Sequence, residues 1–299
     1  MYKKLVKMLP KIKKDVLLKN YSTFRVGGKA KYFLICKTKE EIVLAFNVVR
    51  KFNLPFFILG GGSNILFSDK LFNGLVIKIE NVSYKIDGEH VEAGAGVKLN
   101  QFVIMLAERG LSGLEWSAGV PATLGGAVRG NAGAFNQSIK DIVDKVEVFD
   151  LKTNRTKVFK NKECKFEYRD SIFKHNDNLI IISAILKLKK DNKNKIKNKI
   201  KNNLAVRKGK QSIKPSAGSI FKNPQTIETA KSFSAGELIE GCGLKGKQIG
   251  GAKISDEHAN FIVNFNNATS NDIKKLIVLI KKEVKKNFGI LLKEEIKIF

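Results

Sequence analysis

A chain of 299 residues with 43% hydrophobic content is long enough for two or three domains with cores of their own, which excludes a disordered or fibrous protein. No apolar run reaches the roughly 18 residues of a membrane span, and residues 1–10 lack the apolar centre of a signal peptide, so a cytoplasmic protein is expected. Lys and Arg number 55 against 28 Asp and Glu, a formal net charge of +27, but the lysines are scattered with Asn, Ile and Phe through every segment and mark out no single nucleic-acid-binding face.

Residues 1–15 read as a short, Lys-rich amphipathic helix. Asn20-Tyr21-Ser22-Thr23-Phe24-Arg25-Val26-Gly27-Gly28 is a polar turn closed by paired glycines and followed by the strand-like Tyr32-Phe33-Leu34-Ile35. Thr38-Lys39-Glu40-Glu41 makes a capping box for a helix with Ile42, Ala45, Phe46 and Val49 on one face. That helix returns the chain to Phe56-Phe57-Ile58-Leu59, a buried-strand pattern running into Gly60-Gly61-Gly62-Ser63-Asn64. A glycine loop at the end of a strand is suited to cradling a diphosphate.

From Gly74 the chain turns β-rich, with a hairpin signal at Asp87-Gly88. Gly94-Ala95-Gly96 is not a dinucleotide fingerprint, because Leu99 stands where the third glycine belongs. A helix over 98–109 leads into residues 113–135, the stretch around which the chain is organised. Gly119, Gly125, Gly126, Gly130 and Gly133, with Pro121 stiffening the turn, let backbone N–H groups approach a ligand closely. A flexible linker would be polar throughout; here Trp116, Val120, Leu124, Val128 and Phe135 call for burial, so the glycines line a packed pocket.

Residues 143–149 and 151–158 extend a sheet, and residues 179–188 read as its central strand. Between them lies Cys164-Lys165-Phe166-Glu167-Tyr168-Arg169-Asp170-Ser171-Ile172-Phe173-Lys174, in which an arginine amid apolar residues suits either a structural carboxylate of the protein itself or the carboxylate of a ligand. Ile196, Ile200 and Leu204, four apart in the polar stretch 189–203, predict a surface helix and a domain boundary. Beyond it, Arg207-Lys208-Gly209-Lys210 can reach phosphates.

Pro215-Ser216-Ala217-Gly218-Ser219-Ile220-Phe221-Lys222-Asn223-Pro224 presents Ser219 from a turn, and His90, His175 and His258 lie in contexts that offer it no hydrolase triad. Residues 241–247 approach a phosphate-binding loop, but Gln248 replaces the magnesium-binding hydroxyl. Ser270-Asn271-Asp272 caps a helix that ends at Gly289, and residues 291–299 alternate like a strand carrying Glu294 and Glu295. Cys36, Cys164 and Cys242 are an odd number and far apart, which argues for reduced, packed thiols and against a zinc site.

The blocks around Thr23-Phe24-Arg25, Gly60-Gly61-Gly62-Ser63-Asn64, residues 113–135, Tyr168-Arg169-x-Ser171, Ser216-x-x-Ser219 and the tail glutamates resemble, in order, the UDP-N-acetylenolpyruvoylglucosamine reductase (MurB) family, in its shorter type lacking a Tyr-bearing loop insertion. The resemblance implies an α+β fold: a two-lobed FAD-binding domain of the PCMH, vanillyl-alcohol-oxidase-like type over residues 1–202, its lobes split near 74–80, and an α+β substrate-binding domain over 203–299. It implies non-covalent FAD held by Gly60, Gly61, Gly62, Ser63, Asn64, Gly119, Val120, Pro121, Gly125, Gly126, Asn131, Gly133, Ala134 and Arg207. NADPH is the implied reductant and the enolpyruvyl ether of UDP-N-acetylglucosamine the substrate, touched by Tyr168, Lys210, Asn223 and Lys245.

In the chemistry so implied, hydride passes from NADPH through FAD N5 to substrate C3. Arg169 and Glu295 stabilise the resulting enolate, and Ser219 protonates C2 to give UDP-N-acetylmuramate. Lys293 and Lys297 depart from the family's terminal pattern and leave Glu294 as the competitor of Glu295. A monomer is expected. The alternatives are an FAD-dependent oxidase of the same superfamily, disfavoured by the Ser219 motif, and a basic nucleic-acid binder, which lacks stacking aromatics in a known pattern.

Overall fold

The computed structural model describes residues 1–209, 212, 214–224 and 233–299. The chain divides into two units, one of residues 1–16, 31–61 and 73–207, the other of residues 17–30, 62–72 and 208–299.

The first unit is built on two sheets. Its four-stranded sheet runs in the order Lys13–Leu17, Lys29–Cys36, Phe72–Ile79, Phe56–Leu59, the last two parallel. Helix α1 (Tyr2–Met8) precedes this sheet in the chain, and α2 (Lys39–Phe52) supplies the crossover into strand Phe56–Leu59. The Thr38 hydroxyl accepts the Glu41 N–H, and Asn53 closes α2 in the left-handed region, so the helix length follows from its caps. Its buried face is Ile42, Ala45, Phe46, Val48 and Val49.

The second sheet has five antiparallel strands in the order Arg155–Lys160, Val143–Asp150, Leu179–Lys187, His90–Gly94, Tyr84–Asp87. Strand Leu179–Lys187 lies in the middle and is buried along nearly its whole length, as its β-branched run requires. Helices α3 (Leu99–Glu108), α4 (Leu124–Gly130), α5 (Ile172–His175) and α6 (Lys193–Lys208) complete this unit up to Arg207.

The second unit carries an antiparallel sheet in the order Ser216–Ser219, Phe261–Asn264, Ala252–Ile254, Gln248–Ile249, packed by α7 (Ala235–Gly241) and α8 (Ser270–Phe288). Helix α8 is capped one residue before the expected Ser270: the Thr269 hydroxyl accepts the Asp272 N–H while the Asp272 carboxylate accepts the Thr269 N–H. It buries Ile273, Leu276, Ile277, Ile280 and Val284 and stops at Gly289, φ 70°. Truncating Ile280 to Ala would cost about 2–5 kcal/mol.

A single cut between residues 202 and 203 does not describe these units. Phe24, Val26 and Leu66 are buried in the core of the second unit, and Ile65–Leu66 pairs in parallel with Lys297–Ile298. Strand pairing between the two ends of the chain is not visible in local composition. The tail forms only that two-residue strand and a bridge from Glu294 to Phe221, where continuous alternation predicts a longer one.

Candidate functional site

In the first unit the two glycine-rich segments meet. A Cβ added at Gly60 would stand 2.6 Å from Thr123 Oγ1, and one at Gly61 would stand 2.8 Å from the Pro121 carbonyl oxygen. These glycines are therefore demanded by the approach of residues 121–123. At Gly125 the clash is with Ala95 Cβ at 2.8 Å, and at Gly133 with the Gln137 carbonyl oxygen at 2.4 Å, across the hairpin that pairs Ala134 with Gln137.

Two other glycines have no such reason. Gly126 and Gly130, four apart, share a face of α4, and a Cβ there would meet nothing nearer than Thr123 Oγ1 at 3.4 Å or Lys174 Cε at 4.0 Å. Glycine inside a helix costs about 1 kcal/mol relative to alanine, so the chain maintains a bare face on α4 at the expense of helix stability. Gly119, Pro121 and Gly126 are exposed while Trp116, Ser117, Thr123, Leu124, Ala127 and Val128 are buried beneath them, with Val120 half-buried. Phe135, expected in the core, is 42% exposed at the tip of the hairpin with φ 53°, and the Arg207 guanidinium lies 5.3 Å from its ring centre.

Three buried polar atoms of this region, Trp116 Nε1, Ser117 Oγ and Arg207 Nε, have no hydrogen-bond partner among the described residues. Arg207 itself donates to the Trp116 carbonyl at 3.0 Å. Burial, and then the neighbouring Arg169 cation, lower its pKa from the usual arginine value. Two guanidinium groups close enough to repel each other form a natural receptor for an anion.

Arg169 sits in a tight turn in which Asp170 N–H donates to the Glu167 carbonyl at 3.2 Å and Glu167 N–H to the Asp170 carbonyl at 3.1 Å. Its φ is 55°, a region where an arginine is strained. Tyr168 beside it is 39% exposed, with the Arg169 guanidinium 5.5 Å from its ring centre. Helix α5 clamps the turn from below: Lys174 Nζ donates to the Arg169 carbonyl at 2.6 Å, and His175 Nε2 lies 2.8 Å from Asp170 Oδ2. Asn131, expected against the cofactor, instead directs its side chain inward, to the Glu167 carbonyl and the Lys140 N–H.

In the second unit Gly62, φ 66°, is glycine because a Cβ would lie 1.9 Å from the Tyr21 carbonyl oxygen. Half-buried Ser63 follows it, and Asn64 Nδ2 donates to the Glu295 carbonyl at 3.2 Å. Ser219 ends the strand that pairs with Phe261 and is preceded by Gly218 at φ 74° with open space around it. Glu295 N–H donates to the Ile220 carbonyl at 2.7 Å, so the serine and the tail glutamate are brought together within this unit.

Asn260 is 3% exposed and grips Phe221 from both sides, accepting its N–H at 2.9 Å and donating to its carbonyl at 2.8 Å. A polar residue directly ahead of the apolar run Phe261-Ile262-Val263 was the available signal. Asn223 Oδ1 accepts the Ala235 N–H, and Lys245 Nζ pairs with Glu240 at 2.6 Å, so both have protein partners. Lys210 lies outside the described residues.

Comparison with known proteins was decisive. Residues 30–157 match the FAD binding domain family, and residues 210–299 match the C-terminal domain family of UDP-N-acetylenolpyruvoylglucosamine reductase. The chain is 39% identical over 283 residues to the UDP-N-acetylenolpyruvoylglucosamine reductase of Caldanaerobacter subterraneus subsp. tengcongensis, covering 94% of this chain and 91% of that protein. It is 37% identical over 303 residues to that of Syntrophomonas wolfei, covering 100% and 99%. The crystal structure of the reductase from Thermus caldophilus matches with a TM-score of 0.81 and 36% identity, over 96% of this chain and 98% of that one.

Proposed function

The chain belongs to the UDP-N-acetylenolpyruvoylglucosamine reductase family, and from that premise we propose that Arg169, Ser219 and Glu295 carry its chemistry. It is an FAD-containing oxidoreductase that uses NADPH to reduce the enolpyruvyl ether of UDP-N-acetylglucosamine to UDP-N-acetylmuramate, a step of peptidoglycan precursor synthesis. The observation that carries the assignment of the flavin site is the bare face of α4 at Gly126 and Gly130, together with the buried polar atoms that have no partner among the described residues. A planar ring system fits such a face, and the unpartnered Nε of Arg207 supports that guanidinium as a donor to it.

In this reading Gly60, Gly61, Gly62, Ser63 and Asn64 hold the diphosphate of FAD. Gly119, Val120, Pro121, Gly125, Gly126, Gly133, Ala134 and Arg207 hold the remainder; the Asn131 side chain, bonded to the Glu167 carbonyl and the Lys140 N–H, takes no part in holding it. The chemistry that an FAD held by these residues would supply is hydride transfer from NADPH to C3 of the enolpyruvyl group. Arg169 takes the substrate carboxylate and neutralises the charge that develops on it, the kind of preorganised electrostatic contribution that dominates many enzymes. Ser219 gives its proton to C2; a serine hydroxyl is a weak acid and suits only a strongly basic carbon, which an enolate supplies. Glu295, tied through its backbone to the residue after Ser219, acts on the same charge.

Tyr168 and Lys210 are proposed substrate contacts; Asn223 and Lys245 serve only if they exchange their present partners. No helix among the described residues is long and apolar enough to cross a membrane. A cytoplasmic monomer acting on small molecules completes the proposal.

The test is the visible spectrum of the purified protein, followed by NADPH oxidation with and without the enolpyruvyl nucleotide. A yellow protein whose NADPH consumption depends on that nucleotide is expected. A colourless protein that takes up no FAD overturns the flavin site, and a yellow one indifferent to the nucleotide favours an oxidase.

A further inference from the structure

We propose that Asn131 is a positioning residue for Arg169, coupling the glycine helix α4 to the turn that carries the guanidinium; this rests on the reading of Arg169 given above. Asn131 caps α4 in the left-handed region, φ 42° and ψ 56°, and is 3% exposed. Its Nδ2 donates to the Glu167 carbonyl at 2.6 Å and its Oδ1 accepts the Lys140 N–H at 3.2 Å. The same Glu167 oxygen accepts the Asp170 N–H that closes the Tyr168-Arg169 turn. One carbonyl is thus shared by the helix cap and the turn.

The cap alone does not require this amide. Glycine is the commonest residue at a left-handed helix end and would serve there without a side chain. What only asparagine adds is the link to Glu167. A second tie runs in parallel, from Ser171 Oγ to the carbonyl of Arg129 in the last turn of α4, at 2.7 Å. The helix whose bare face is assigned to the flavin and the strained arginine are therefore held in one frame. Reacting groups misplaced by about 1 Å lose on the order of 10²-fold in rate, which is the scale such a frame protects.

The experiment uses the FAD-loaded enzyme with Asn131→Asp and Asn131→Gly. The first is isosteric and keeps the acceptor for Lys140 N–H but sets an oxygen against the Glu167 carbonyl. The second keeps the left-handed cap and removes the amide. Flavin content is read from absorbance. Stopped-flow then follows flavin reduction by NADPH and flavin reoxidation by the enolpyruvyl nucleotide separately. Both variants should retain flavin and reduce it at the wild-type rate, while reoxidation slows about 10- to 100-fold.

In an Arg169→Ala background, adding Asn131→Asp should cause no further slowing, because the residue acts through the missing guanidinium. An additive loss in that background, an equal fall in both half-reactions, or loss of flavin would each overturn the positioning role. Unchanged reoxidation in Arg169→Ala alone would instead overturn the assignment of Arg169. The single and double variants therefore distinguish the two failures.

Discussion

The backbone N–H of Glu295 donates to the carbonyl of Ile220 at 2.7 Å, so the C-terminal tail is fastened one residue away from Ser219. Its neighbour Glu294 is differently placed: Oε1 lies 2.9 Å from Lys281 Nζ on α8. The sequence left these two glutamates as competitors, and Glu295 is the one proposed as the acid. Glu295→Gln should slow flavin reoxidation by about 10²- to 10⁴-fold while NADPH still reduces the flavin. Glu294→Gln should keep turnover and lose at most about 1 kcal/mol, since the pair it breaks is partly solvated. Turnover and urea midpoints of the two variants decide this, and a larger turnover loss in Glu294→Gln would move the acid to that residue.

Arg169 is held where asparagine or glycine would be more comfortable. Its φ of 55° costs about 1–2 kcal/mol for a side chain of this kind, and the nearby Arg207 cation adds repulsion. Replacing it by asparagine removes both costs and leaves the backbone carbonyl free to accept from Lys174 as before. Arg169→Asn should lose reoxidation by the substrate, with the relief of strain and repulsion limiting any fall in melting temperature. A clear drop in melting temperature would mean that the guanidinium is structural.

The local elements were legible because their signals are local. Thr38 and its helix, the Asp87-Gly88 hairpin and the long apolar strand at 179–187 stand essentially where the pattern of caps, turns and β-branched residues puts them. Non-local relations were not. The pairing of Ile65–Leu66 with Lys297–Ile298 joins short segments that read as loop and tail, and no periodicity announces it. At the site, glycine content marked the right stretch, but one letter stands for different physical demands. Gly60, Gly61, Gly125 and Gly133 are forced by backbone or side-chain approach, whereas Gly126 and Gly130 leave open space. Asn131 was implied as a cofactor contact by the resemblance alone, and its side chain makes two internal hydrogen bonds that no local pattern announces.

The cysteines give a pH prediction. Burial, with Glu41 and Glu163 adding to it, pushes the Cys36 and Cys164 thiols up to about 12 from 9.0. A thiol whose folded pKa is raised leaves stability unchanged below the unfolded pKa and withdraws it as pH climbs toward the folded one. Unfolding free energy should therefore fall between about pH 9 and 12, beyond any effect of lysine titration, and the fall should shrink in a Cys36→Ala, Cys164→Ala double variant. At pH 8 a thiol-alkylating reagent should label half-buried Cys242 first and reach the other two only on unfolding. Mass-spectrometric mapping checks it; early labelling of Cys36 would refute the burial argument.

The glycines of α4 allow stability and cofactor binding to be separated. At Gly126 an added methyl has room in the protein itself, with Thr123 Oγ1 at 3.4 Å as its nearest contact, and it removes the entropic cost of glycine in a helix. Gly126→Ala should therefore raise the stability of the flavin-free protein by up to about 1 kcal/mol. If the bare face is where the flavin lies, the same methyl intrudes on the ring, and FAD affinity should fall by about tenfold or more, equivalent to about 1.4 kcal/mol. At Gly125 the methyl would meet Ala95 Cβ at 2.8 Å, so Gly125→Ala should instead destabilise the flavin-free protein by about 1–3 kcal/mol. Thermal melts without cofactor and FAD titrations followed by fluorescence quenching measure the two quantities independently. Unaltered FAD affinity in Gly126→Ala would place the flavin elsewhere, because none of the described residues stands close enough to keep that helix position free of a side chain.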